Sequence, residues 1–228
     1  MKDKPSISKG DIAHAAAKGM LSEIPLAGGL ASEIFNLVIA PPLAKRRYKW
    51  MESIAEGLKD LESKIEGFKI ENLVGNDSFI TTVMHASQTA LRNHQEEKLN
   101  ALRNAVLNAA TPNAPDEDLQ LMFLTFVDTL TSWHIKILKY FDDPIRWGKE
   151  HNIKFRELEF GAPAHALENA FPELKGERDF YDLIIRDLYS MGLMSIESLH
   201  TTMTNQGIFA SRTTDIGKKF IAFIEFRK

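Results

Sequence analysis

The chain of 228 residues contains no cysteine, which excludes disulfide bonds, thiol chemistry and metal sites built on thiolate ligands. It also lacks long apolar runs, since no stretch reaches the roughly 20 uninterrupted apolar residues of a membrane-spanning helix. The polar start Met1–Pro5 is followed by neither an apolar secretory core nor a small-residue cleavage site. These absences predict a cytoplasmic protein, with peripheral attachment to the inner membrane left open.

Motifs that carry chemistry are missing as well. No GxSxG, Walker-type or GxGxxG motif occurs, and the seven histidines show no HExxH spacing. His94 is followed by Glu96 and Glu97, but side chains at these spacings converge poorly on a helix, and no second cluster supplies further ligands. We therefore predict that the protein is not an enzyme and has no catalytic residue, cofactor or metal ion.

Charge of one sign does not dominate the chain. The 28 Lys and Arg residues stand against 31 Asp and Glu, which gives a net charge of −3 and no overall attraction to nucleic acid. The hydrophobic fraction of 44% is ample for a buried core. The class indicated is a globular protein with no small-molecule substrate identified.

Helical periodicity dominates the middle of the chain. Apolar residues recur at three- and four-residue steps over 76–110 and again over 115–141. The breaker Thr111–Pro115 between them predicts an antiparallel hairpin of two long helices. Asn76 or Asp77 is expected to cap the first helix and Asn113 the second.

A third helix is predicted from Pro42 to about Phe68. Its apolar residues follow a coiled-coil-like seam, formed by Trp50, Ile54, Leu58, Leu61, Ile65 and Phe68. This seam leaves room for a homo-oligomer. The first turns carry four cations and two aromatic residues, namely Lys45, Arg46, Arg47, Tyr48, Lys49 and Trp50. The helix dipole opposes cations at this end, which indicates an external partner for them.

The segment before this helix is the most apolar of the chain. From Ile24 to Ala44 the only charged residue is Glu33, and prolines and glycines interrupt the sequence. Together with the six residues Lys45–Trp50, this arrangement is typical of a membrane interface. The favoured interpretation of this segment alone is nevertheless a broken helical segment that packs on the core and is followed by a solvated basic turn.

The last third of the chain follows the outline of a winged helix. Helices are predicted over 162–171 and 177–191, the second with Phe180, Leu183, Ile184, Leu188 and Met191 on one face. Two short strands, 193–196 and 207–211, would form the wing. Thr213 or Thr214 would cap a final helix over 215–226.

A winged helix suggests DNA binding, which depends on phosphate neutralisation. Residues 155–228 contain nine Lys and Arg against eleven Asp and Glu, and the helix over 177–191 is itself acidic. Packing or protein contact is therefore the favoured role of this module, and nucleic acid is an unfavoured partner. A winged-helix nucleic-acid-binding regulator remains the alternative function.

Five stretches of the chain carry a family resemblance, namely Glu97–Ala110, Asp116–Val127, Leu130–Leu138, Leu188–Leu193 and Thr214–Phe220. The resemblance is to the Abi-alpha (abortive-infection alpha) family of bacterial proteins. It implies a bacterial, mainly helical protein with a role in defence against phage. It supplies no catalytic residue for this chain.

These observations predict a mainly α protein in three parts. An apolar N-terminal segment occupies 1–44, an elongated helical bundle built on the long hairpin occupies 45–142, and a winged-helix-like module with a two-stranded β hairpin occupies 143–228. The predicted function is that of a non-enzymatic interaction protein, a candidate phage-defence component. It would act on a membrane or protein partner through its N-terminal apolar and basic segment.

Overall fold

A computed structural model describes residues 41–155 and 160–226, with side chains from Ala44 onward. Almost all of the predicted segment 1–44 lies outside these residues. The chain divides into two compact units, residues 1–46 and 47–228. The boundary predicted at residue 143 lies inside the second unit.

The described part is mainly helical and carries one small antiparallel sheet, which confirms the predicted class in its coarse form. Two residues of each strand pair, with Phe160 opposite Thr204 and Gly161 opposite Met203. Short 3₁₀ helices cover Ile70–Leu73 and Pro172–Leu174. The helices and strands in these residues are α1 Pro41–Lys64, α2 Asp77–Arg92, α3 Glu96–Ala109, α4 Glu117–Thr129, α5 Ser132–Asp142, α6 Pro144–Glu150, β1 Phe160–Gly161, α7 Pro163–Ala170, α8 Arg178–Ser190, β2 Met203–Thr204, α9 Asn205–Ile208 and α10 Asp215–Ile224.

Each of the two predicted long helices is divided in two, so their predicted continuity is wrong. The first stops where Asn93 leaves the helical conformation and its side-chain amide donates to the Thr89 carbonyl oxygen at 2.8 Å. The second is interrupted at Leu130 and Thr131, both extended. The all-polar stretch Arg92–Lys98 is therefore the place where the chain changes direction.

The predicted helix caps are confirmed in part. The Asn76 side chain accepts a hydrogen bond from the Phe79 amide at 3.0 Å and caps α2. Asp116, rather than Asn113, caps α4 by accepting from the Leu119 amide at 3.0 Å. The Pro112–Pro115 segment delays the start of the helix, because a proline disfavours helical conformation in the residue before it.

The core surrounds α3. This helix packs against α2, α4, α5 and α10, and its most deeply buried side chains are Ala101, Leu102, Ala105 and Val106. Helix α1 ends at Lys64, before the predicted end at about Phe68. Its seam residues are buried in the core, and of the two that follow the helix, Phe68 is buried and Ile65 is half-buried. The Arg103 guanidinium donates to the Ser53 carbonyl oxygen at 3.1 Å and joins α1 to α3.

The predicted wing strands are wrong in their pairing. Strand β2 pairs with β1, and residues 205–208 form the short helix α9, whose first turn is capped by the Thr204 hydroxyl. Of the predicted strand 193–196, Met194 alone forms a bridge, with Thr213. Side-chain capping at Thr204 thus competes with an extended conformation over the second predicted strand.

The start of α10 lies on the turn that ends α8. Gly192 has φ of +72°, a left-handed conformation that suits glycine and ends α8. The Thr214 hydroxyl donates to the Gly192 carbonyl oxygen at 2.6 Å and accepts from the Gly217 amide at 3.0 Å, which confirms one of the two predicted caps. Gly217 itself lies so close to the Leu193 carbonyl that a Cβ atom there would clash with backbone.

Replacing Gly217 by alanine is therefore expected to lower the free energy of unfolding by about 1–3 kcal/mol, the usual cost of overpacking. The matched control is Gly75→Ala, because a Cβ atom at Gly75 meets no atom within 4 Å. We expect the control to be neutral or slightly stabilising. Urea unfolding followed by circular dichroism measures both, and equal stability of the two variants would contradict the close approach.

Candidate functional site

The basic start of α1 is the site predicted from the sequence. Lys45, Arg46, Arg47, Tyr48 and Lys49 are all exposed, and Tyr48 retains 68% of its accessible surface. The first turn of α1 contains no acidic residue. Among the described residues, no carboxylate forms an ion pair with these cations. The basic segment, defined here as Lys45–Lys49, is thus a surface whose charges the described residues do not neutralise.

Trp50, the sixth predicted contact residue, belongs to the core. It is only 7% exposed, and its indole N–H donates to the Ser87 hydroxyl oxygen at 2.8 Å. A buried indole of this kind fixes the direction of α1 on α2 and leaves no surface for a partner. The candidate contact surface is accordingly reduced to the five residues of the basic segment.

A polar network joins the two places where the long helices are broken. Lys98, in the first turns of α3, is buried, and its ammonium donates to the Asp128 carbonyl oxygen at 2.9 Å. Burial lowers the pKa of Lys98, while the Asp128 carboxylate opposes that shift. The same carboxylate pairs with Arg92 at 3.0 Å. The end of α2, the start of α3 and the end of α4 are thereby held together by charge.

His134 extends this network to α8. Its Nδ1 lies 2.7 Å from the Thr131 hydroxyl oxygen and accepts from the Thr131 amide at 3.3 Å, while its Nε2 lies 3.3 Å from an Asp187 carboxylate oxygen. Desolvation lowers the pKa of His134, although the hydrogen bond to Asp187 acts in the opposite direction. The imidazole is thus neutral near pH 7, with its proton on Nε2.

A threonine hydroxyl, a neutral imidazole and a carboxylate are the groups that nucleophilic hydrolases use. Here Thr131 is the residue before α5, and its hydroxyl points to the histidine three residues later in the same turn. The two clefts described below are lined by other residues. The geometry therefore holds α5 against α8, and we assign the three groups a structural role.

Sequence reasoning missed this network. The sequence alone places Ser132–His134 on a helix surface, whereas His134 is buried. Its carboxylate partner lies 53 residues further along the chain, so no local spacing signals the pair.

An open cleft lies beside the end of α10, and no sequence pattern indicates it. Its volume is about 870 Å³. A smaller neighbour of about 430 Å³ lies beside the loop that follows α3. The larger cleft is lined mostly by apolar groups, and its walls include Ile65, Pro112, Pro115, Leu119, Phe223 and Phe226, with Asn108, Asp116 and Lys219 among its polar residues.

Metal-ligating groups do not cluster in the described part of the chain, where no three His, Asp or Glu side chains converge. His94 lies in the exposed link between α2 and α3, whereas Glu96 and Glu97 begin α3. The same part of the chain holds no helix of the length and apolarity required to cross a bilayer.

No family model, curated protein or solved structure matches the chain.

The environment of His134 predicts a pH dependence of stability. Its pKa is lower in the folded chain than the ordinary value of 6.5, so the unfolded chain binds a proton more readily as the pH falls. The free energy of unfolding should therefore decrease below about pH 6.5, and His134→Gln should remove part of that decrease.

Urea unfolding at about pH 7.5 and pH 5.5 tests this expectation. The exposed His94 provides the control, because His94→Gln should lose as much stability between the two pH values as the wild type. If His134→Gln also loses as much stability as the wild type, the assignment of a depressed pKa to His134 is wrong.

Proposed function

We propose that this protein is a non-enzymatic interaction protein that contacts an anionic membrane surface through its basic segment. The observation that supports the proposal is the exposure of four cations that no described carboxylate neutralises. Binding to anionic headgroups would not have to break a described ion pair first. An acidic protein surface is the alternative partner.

The basic segment is expected to contribute substantially to the free energy of membrane binding. Each Lys or Arg held near an anionic leaflet contributes about 1 kcal/mol, and the attraction decays within a Debye length. Tyr48 adds an exposed amphipathic ring, a side chain that favours the interface between water and lipid. Four cations and one aromatic residue on adjacent turns are therefore sufficient for reversible peripheral binding, compatible with a cytoplasmic protein at the inner membrane.

The biological role that we propose is defence against phage. This role rests on the Abi-alpha resemblance of the stretches between Glu97 and Phe220. In this role, membrane contact would be the effector step of abortive infection. The two terminal stretches of that resemblance meet where Thr214 and Gly217 pack on Gly192 and Leu193. This packing is a physical reason for their pattern of Gly and Thr positions.

We further infer that residues 143–228 form a winged-helix-like module that serves protein contact. Its support is the chain order β1, α7, α8, β2, α9 and α10, with the two strands paired. The exposed surface at the start of α8 argues against the nucleic-acid alternative, because Glu177 and Asp179 lie on either side of Arg178 in the sequence. Carboxylates at this position repel phosphate.

Vesicle sedimentation tests the membrane proposal. The full chain is expected to sediment with phosphatidylserine-rich vesicles at low salt and to remain in solution with phosphatidylcholine vesicles. Changing Lys45, Arg46, Arg47 and Lys49 together to Ala should weaken binding at least tenfold, the expected effect of removing several contributions of about 1 kcal/mol.

A matched control variant removes the same charge elsewhere, with Lys149, Lys175, Lys218 and Lys219, all exposed, changed to Ala. It should bind as the wild type does. If both variants lose vesicle binding equally, net charge alone explains the effect and the position of the basic segment does not matter. Unchanged binding by both would contradict a role of the basic segment, and binding to acidic proteins but not to vesicles would favour the alternative partner.

The nucleic-acid alternative has its own test. Fluorescence anisotropy with a labelled duplex at low salt is expected to show no binding at micromolar protein, because the module presents carboxylates where phosphates would lie. Binding that weakens with added salt and is lost in Arg178→Glu would support the alternative instead.

A further inference from the structure

Helix α8 exposes the apolar side chains of Phe180 and Leu183 near its start, besides the ring of Tyr189 at its end. Phe180 and Leu183 retain 41% and 51% of their accessible surface, although the sequence predicted them on one face with Ile184 and Leu188, which are buried. The core is contacted instead by Tyr181, Ile184, Ile185 and Leu188. Two neighbouring apolar residues one turn apart thus form an uncovered patch on the outside of the helix.

Phe180 in this patch packs against other aromatic rings. The Phe180 ring meets Trp133 edge to face, with centroids 6.5 Å apart, and Trp133 in turn meets Phe171 at 5.7 Å. The hydrogen bond between His134 and Asp187 fixes α8 to α5, and the Tyr181 hydroxyl donates to Glu168 at 3.0 Å. A rigid aromatic anchor loses little entropy on binding, as in the energetic centres of protein interfaces.

The charges beside the patch follow a self-complementary order. Asp179, Leu183 and Arg186 are separated by four and three residues, so they form one stripe along α8. Asp182 pairs with Arg178 and His200, and Asp187 pairs with His134. Among the described residues, Asp179 and Arg186 have no such ion pair, which leaves one anion and one cation on opposite sides of an exposed leucine.

We propose that this face of α8 is the interface of a symmetric homodimer. A two-fold axis near Leu183 sets the two α8 helices antiparallel and brings the two leucines together. It also places Asp179 opposite Arg186 of the partner subunit, and the symmetry repeats this ion pair on the other side. Phe180 contributes the aromatic edge of each half.

The charge order favours a second copy over other occupants. An anionic membrane or nucleic acid would meet Glu177 and Asp179 beside the apolar residues and be repelled. A stripe of anion, leucine and cation is instead complementary to its own image under a two-fold rotation. The proposal is independent of the basic segment, so failure of vesicle binding would leave it intact.

Sedimentation equilibrium of the full chain tests the dimer. The wild type is expected to dimerise below about 100 µM, and Leu183→Glu should raise the dissociation constant at least tenfold, because it brings two buried carboxylates together. Met84→Glu is the matched control, since Met84 is a similarly exposed apolar residue on α2, and it should leave the dimer unchanged.

Exchanging the charges of Asp179 and Arg186 distinguishes loss of the interface from misfolding of a variant. Asp179→Arg and Arg186→Asp should each weaken the dimer, because each sets like charges opposite each other. The double variant Asp179→Arg/Arg186→Asp should restore it, since the exchanged charges pair again across the axis. A wild type that stays monomeric at about 100 µM, a dimer insensitive to Leu183→Glu, or a double variant no tighter than the single ones would each overturn the proposal.

Discussion

The fold depends on the burial of α3. Ala101 and Ala105 are almost wholly inaccessible, and their small side chains allow the neighbouring helices to approach the α3 backbone closely. Both ends of the helix then satisfy carbonyl groups of other helices. Lys98 donates to the Asp128 carbonyl oxygen at the end of α4. The Asn108 side-chain NH2 group, with two N–H donors, lies within 2.7–3.1 Å of the carbonyl oxygens of Ala222, Phe223 and Glu225 at the end of α10. The last carbonyls of a helix lack partners within it, so α3 supplies both apolar surface and the missing donors.

This arrangement explains why side-chain hydrogen bonds stabilise both breaks in the predicted long helices. At the link between α2 and α3, Asn93 bonds back to Thr89, and at the link between α4 and α5, Thr131 meets His134. Lys98 and Asp128 connect the two links, with Lys98 deeply buried. A buried ammonium is costly unless hydrogen-bonded, which restricts the helix ends to this one arrangement. The same network reaches α8 through the hydrogen bond between His134 and Asp187. This bond fixes α8, the helix that carries the exposed patch, to α5.

Local sequence signals were sufficient for some of these features. The apolar period predicted the helical class and the buried seam of α1, and Asn76, Gly192 and Thr214 ended or began helices as their chemistry requires. The breaks at Asn93 and Thr131 escaped prediction because neither Pro nor Gly marks them. The orientation of α8 escaped it for a different reason. Apolar residues occur at 180, 181, 183, 184, 185 and 188 and cover more than one face, so tertiary packing selects Tyr181 and Ile185 for the core and leaves Phe180 and Leu183 outside.

The two candidate contact surfaces differ in the physics of recognition. The basic segment carries cations of one sign and attracts any anionic surface over a Debye length, with steep dependence on salt. The α8 face carries an anion and a cation around an apolar centre, so its net field is small, and its partner is selected by geometry at short range. Long-range attraction suits reversible attachment to an extended surface, whereas short-range complementarity suits one partner of fixed shape. For a protein without an assigned catalytic group, dimerisation would double the number of basic segments per particle, and the resulting avidity would strengthen membrane attachment without any new contact.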